Sequence, residues 1–88
     1  RQYMTKDIQA VVTQLVTEIC IKRGLKDKPT SDTSLVKSDI IDSLGLITFA
    51  AKLEEEFGIR ISVPDMHLKN FENIELICEF VRSKLSKA

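Results

Sequence analysis

The sequence predicts an all-α domain: a small four-helix bundle of three longer helices and one short third helix, with a long loop between helices 1 and 2. Three observations predict it. Apolar residues recur at three- and four-residue steps in three separate stretches, and each stretch is bounded by residues suited to helix ends. Nowhere does an apolar/polar alternation persist long enough for a sheet. A chain of 88 residues has room for one core, so residues 1–88 form a single domain.

The first helix is expected over residues 5–23, where Ile8, Val11, Val12, Leu15, Val16, Ile19 and Cys20 make one apolar stripe. Thr5 is the expected cap, with Asp7 in the first turn favoured by the helix dipole. Lys22 and Arg23 suit the C-terminal end, and Gly24 can take the left-handed conformation that stops the helix. The nineteen residues 24–42 carry no clear helix or strand, which is long for a structureless connection in a compact domain. Residues 26–33 are polar and should be exposed, while Leu25, Leu35, Val36, Ile40 and Ile41 should pin the loop to the core, with a helical turn over residues 35–39.

The second helix is expected over residues 43–57, capped by Ser43 and buried through Leu46, Ile47, Phe49, Ala50, Leu53 and Phe57. Gly58 ends it, and Ile59 and Ile61 alternate with Arg60 in an extended segment too short for a sheet. Pro64 fits the first turn of a short third helix over residues 64–69, with Met66 and Leu68 facing inward. Phe71 anchors the next connection. Asn73 caps the last helix, whose apolar set is Ile74, Ile77, Cys78, Val81 and Leu85, with Phe80 alongside.

Composition narrows the function. Thirteen basic and thirteen acidic side chains leave no net charge, which argues against nonspecific nucleic-acid binding. The balance is uneven: residues 1–28 hold six basic and three acidic side chains, residues 29–58 two and six, and residues 59–88 five and four. The acidic middle third is also the one that contains Ser43. Cys20 and Cys78 form no Cys-x-x-Cys pair and His67 is the only histidine, so a zinc site lacks ligands and both cysteines read as core residues. With no signal peptide and no run of about 18 apolar residues, a cytoplasmic location without membrane insertion is expected.

No catalytic constellation is present. Ser43 has no base close in sequence, the glycines at 24, 45 and 58 are scattered, and the glutamates at 54, 55 and 56 read as a solvated helix face. The chain is therefore expected to be a substrate and not an enzyme. Ser43 itself admits two readings: a plain helix cap, or a modification site, since a phosphate ester at a helix start lies where negative charge is stabilised.

The triplet Asp42, Ser43, Leu44, the run Leu53, Glu54, Glu55, Glu56, Phe57 and the following Gly58, Ile59, Arg60, Ile61 resemble an acyl carrier protein, a phosphopantetheine-binding carrier domain, and the likeness covers nearly the whole chain. The resemblance implies covalent 4'-phosphopantetheine, drawn from coenzyme A, on Ser43, with Asp42 and Leu44 as the flanking motif. A magnesium-dependent phosphopantetheinyl transferase would install it. The thiol would then hold acyl intermediates as thioesters for the acyl-loading, condensing or acyl-transfer enzymes of fatty-acid, polyketide or related biosynthesis.

By the same resemblance, partners would meet Leu44, Ile47, Ala51, Glu54 and Glu55, and an acyl chain would enter a slot lined by Phe49, Leu53, Ile61, Met66 and Phe71. A closed core packed by those five residues is the competing expectation. Gly45 and Thr48 stand where the acidic fatty-acid carriers have acids, and Lys52 lies two residues before the run of glutamates, which by the same resemblance points to a dedicated carrier with a more apolar docking face; a monomer is expected. A peptidyl or D-alanyl carrier and an unmodified helical interaction module are the alternatives.

Overall fold

The first helix, α1, spans Ile8–Lys22 in the computed structural model, which describes residues 7–25 and 29–87. Its cap is Asp7, whose carboxylate accepts from the Ala10 N–H at 3.3 Å, so Asp7 precedes the first turn instead of lying in it. The expected cap, Thr5, and residues 26–28 of the polar stretch lie outside the described residues. Val12, Leu15, Val16 and Cys20 are buried, with Ile8, Val11 and Ile19 packed at the edge of the core. At the other end the Leu25 N–H bonds the Cys20 carbonyl at 2.9 Å and the Gly24 N–H bonds Ile21 at 3.0 Å. That paired closure needs a left-handed residue between, and Gly24 supplies it at φ 72°. Leu25 follows this reversal, leaves the apolar stripe and is 40 % exposed, so it does not pin the loop as expected.

The loop is held elsewhere. Leu35, Ile40 and Ile41 are buried, and residues 35–39 form a hydrogen-bonded turn in which the Ile40 N–H bonds the Leu35 carbonyl at 2.9 Å. Asp39 closes that turn at φ 62°, a left-handed conformation that Asp tolerates better than most side chains. The turn is fastened to the start of the last helix: the Leu35 N–H donates to the Glu72 carbonyl at 2.7 Å, and the Ser34 hydroxyl donates to the Glu72 carboxylate.

Helix α2 spans Ser43–Phe57 and buries Leu46, Phe49, Ala50, Leu53 and Phe57. Ile47, expected inside, is 59 % exposed, because it lies off the stripe that those five residues define. Gly58 ends the helix in the left-handed region at φ 66°, and Ile59 returns to the core. The short third α-helix does not form. In its place are two 3₁₀ turns, Val63–Asp65 and Leu68–Phe71. The Asp65 carbonyl explains the break, since it accepts from the His67 N–H at 2.8 Å and the Asn70 side chain at 2.9 Å instead of from an N–H one helical turn on. Met66 is half-buried, whereas Leu68, expected inward, is 40 % exposed.

Helix α3 spans Ile74–Lys87 and is capped by Asn73, whose side chain accepts from the Leu76 N–H at 2.8 Å. Among the described residues the fold is thus three α-helices and no strand, not four. Ile74, Ile77, Cys78 and Val81 carry the α3 side of the core, and both cysteines are buried free thiols whose pKa values burial pushes up. Phe71 is fully enclosed, edge-on to Phe49 (centroids 6.3 Å apart) and tilted against Phe80 at 5.4 Å. Helix α3 packs most extensively against α1 and against the Leu68–Phe71 turn, and all three helices contribute to one core.

Candidate functional site

The head of α2 is set by Asp42 and not, as expected, by Ser43. Both residue types make good caps, but Asp42 has the extended backbone that a cap requires (φ −112°, ψ −173°) and Ser43 is already the first helical residue. The Asp42 carboxylate accepts from the Gly45 N–H at 2.7 Å, and its carbonyl takes the Leu46 N–H at 2.8 Å. A side chain on residue 45 would bring its Cβ to 3.1 Å from that carboxylate, so glycine leaves the cap room to close. With capping assigned to Asp42, the exposed Ser43 hydroxyl is left uncommitted.

The approach to this helix end is braced from α1. One Arg23 guanidinium nitrogen lies 3.9 Å from the Asp39 carboxylate, and the other lies 4.0 Å from Asp42 and 3.5 Å from the Ile40 carbonyl. None of these contacts is short, so Arg23 steers the loop by charge more than by any single bond. Among the described residues nothing accepts from the N–H groups of Ser43 or Leu44. A phosphodiester on the Ser43 oxygen therefore fits the end of a fifteen-residue helix whose dipole and free donors favour an anion.

The five residues expected to meet partners do not all share one environment. Leu44 (78 % exposed), Ile47 and Ala51 fall at three- and four-residue spacing on one outward face, with Glu55 also exposed. Glu54 is turned to a different task. It is half-buried, and its carboxylate accepts from the Ile61 N–H at 2.8 Å, holding the chain that leaves α2.

The five residues expected to line an acyl slot also divide. Phe49, Leu53 and Phe71 are core residues, at most 2 % exposed, while Ile61 and Met66 are half-buried beside them. The surface hollow at Ile61 is otherwise bordered by Glu54, Ile59, Arg60, Ser62 and Lys84. There Asp65 accepts from the Ser62 N–H at 3.0 Å, the Ser62 hydroxyl at 2.8 Å and the Lys84 ammonium at 2.5 Å. The Lys84 bond, followed by those from Ser62, lowers the Asp65 pKa to about 2.

The site also includes a feature that sequence reasoning missed. Between α1 and α2, on the opposite side of α2 from Ile61, lies a groove of about 260 Å³. Leu15, Ile19, Ile40, Ile41 and Phe49 make it apolar, and Glu18, Lys22, Arg23, Thr48 and Lys52 give it a polar border. Lys22 and Arg23 were legible only as residues suited to a helix end. Among the described residues no group of three or more His, Cys, Asp or Glu is arranged to hold a metal ion, and no helix is long and apolar enough to cross a membrane.

A family model described as a phosphopantetheine attachment site matches residues 11–81, from within α1 to within α3. Comparison with curated proteins and with solved structures gave no match.

Proposed function

The chain belongs to the phosphopantetheine attachment-site family, and from that premise we propose that Ser43 is the attachment residue of an acyl carrier protein. Membership makes the chain a carrier and not an enzyme, with covalently held 4'-phosphopantetheine as its cofactor. The observation that carries the choice of residue is the division of labour at the head of α2: Asp42 caps, and Ser43 presents an exposed hydroxyl beside free backbone donors.

The Ser43 oxygen attacks the pyrophosphate of coenzyme A on the transferase. A new O–P bond forms, the pyrophosphate P–O bond breaks, the adenosine bisphosphate leaves, and the serine proton passes to a base on the transferase. The attached group supplies a thiol that carries acyl cargo as a thioester. What this chain contributes is position. Arg23 and the Asp42 cap hold the helix end, the first turn stabilises the phosphodiester charge, and the tether raises the local concentration of cargo at a partner enzyme.

Leu44, Ile47 and Ala51 form the apolar part of the partner face, with Asp42 and Glu55 offering charge to basic patches. Glycine at 45, threonine at 48 and lysine at 52 support a dedicated carrier for a specialised pathway. The test is mass spectrometry after incubation with coenzyme A and a broad-specificity transferase. The chain gains one phosphopantetheine mass and Ser43→Ala gains none. Gain at another residue, or none in the parent chain, refutes the assignment.

A further inference from the structure

We propose that the groove between α1 and α2 seats the tethered cargo, and that the cargo it favours is a short acyl chain ending in a carboxylate. The inference rests on Ser43 as the attachment residue and adds to it a place and a class of substrate. The groove begins where the arm begins: Ile41 and Gly45 line it, each two positions from Ser43. Arg23 at the end of α1 faces Asp42 at the start of α2, so the helices run in opposite directions and the groove continues along both. From Gly45 to Lys52 it follows eight residues of α2, seven steps or about 10 Å of helix.

Shape and charge select the occupant. The floor of Leu15, Ile19, Ile40, Ile41 and Phe49 takes methylenes out of water. A volume of about 260 Å³ falls below the usual range of roughly 300–1,000 Å³ for drug-sized ligands, which suits a short chain. Three of the four charged residues at the border are cationic. Arg23 is shared with Asp39 and Asp42, but Lys22 and Lys52 have no ion-pair partner among the described residues, against the single acid Glu18. A terminal carboxylate beside Lys22 or Lys52 supplies the missing countercharge.

The alternative route, past Ile61 and Met66, starts from a surface hollow of about 550 Å³ but is fastened beneath it. Glu54 holds the Ile61 N–H, Lys84 holds Asp65, and Phe49 and Phe71 meet edge-on behind them. An acyl chain entering there must break those contacts, whereas the α1–α2 groove accepts it as it stands.

The chain is loaded by a broad-specificity transferase with stable amide-linked glutaryl or pentanoyl coenzyme A analogues, and mass spectrometry confirms attachment. Methyl and amide chemical shifts are then compared with those of the arm alone. The expected result is that glutaryl moves Leu15, Ile19, Thr48 and Lys52, with occupancy roughly two- to five-fold above that of pentanoyl, as for a partly exposed ion pair. In Lys52→Glu, checked for helicity by circular dichroism, that preference is lost. Shifts confined to Ile61 and Met66, or none, overturn the groove while leaving the carrier reading intact. Equal shifts for the two cargoes overturn the carboxylate preference, and failure to gain mass overturns both readings together.

Discussion

On the flank of α2 that faces the connector to α3, the chain is tied down repeatedly: Glu54 to the Ile61 N–H, Asp65 to Ser62 and Lys84, and Phe71 enclosed between Phe49 and Phe80. On the flank that faces α1, a lined groove remains. The difference teaches how a small domain holds a helix firmly and still leaves space beside it. The connector holds the Ile61 side of α2 by direct bonds, whereas on the α1 side Arg23 braces the helix end and leaves the groove beyond it open.

The comparison breaks most severely at Phe71. With no exposed surface and two aromatic neighbours, Phe71→Ala should cost about 3–5 kcal/mol. The half-buried groove residue Ile19 should cost roughly half of that or less when replaced by alanine. Urea denaturation of both variants, with unchanged slope, measures the two costs. Equal costs would show that the α1 flank supports the fold as much as the connector does.

Next comes Glu54. Removing its carboxylate in Glu54→Ala leaves the Ile61 N–H half-buried without its acceptor, a loss of about 1–3 kcal/mol. Exposed Glu55→Ala should stay within about 0.5 kcal/mol. Hydrogen exchange at the Ile61 amide should speed up only in the first variant. If Glu55 proved the costlier of the two, the fastening on this flank would have been misassigned.

A smaller effect separates the two residues at the head of α2. Asp42→Ala removes the cap and should destabilise by about 1 kcal/mol. Ser43→Ala, lying inside the first turn, should change stability by only a few tenths, about 0.5 kcal/mol at most. Thermal or urea unfolding of the unmodified proteins checks this. A reversal of the two values would return the cap to Ser43.

That reversal of roles shows where the sequence could and could not be read. The apolar stripes of α1 and α3, the stops at Gly24 and Gly58 and the Asn73 cap are local matters of periodicity and backbone freedom, and they were legible. Adjacent Asp42 and Ser43 are near-equal caps by residue type. What decides between them is the backbone angle at which the loop arrives, with Asp39 left-handed and Arg23 reaching in from α1. The sequence overstates the third helix for a similar reason. Pro64 signals a start, but hydrogen bonds from His67 and Asn70 to the Asp65 carbonyl end the turn. Ser43 stood out because its chemistry lies in a contiguous motif. The groove did not, since it is bounded by three separate segments and a gap leaves no periodic trace.

The least costly way to sharpen the comparison is acid. The Asp65 carboxyl sits at about 2 in the folded chain, below its ordinary value of 3.8, chiefly because Lys84 hydrogen-bonds to the ionised form. A depressed carboxyl contributes stability that is fully present above the unfolded value, so the contribution should fade as pH drops from about 4 toward 2. Both side chains are about a quarter exposed (23 % for Lys84, 24 % for Asp65), so salt should weaken the effect. The informative quantity is the difference between the parent chain and Asp65→Asn. That difference should shrink on acidification, with Ile61 and Ser62 amide shifts responding and Ile19 and Thr48 silent. A difference that is constant across the window would mean that Asp65 and Lys84 do not fasten this flank by charge. Movement at Ile19 and Thr48 instead would show that the two sides of α2 are not independent.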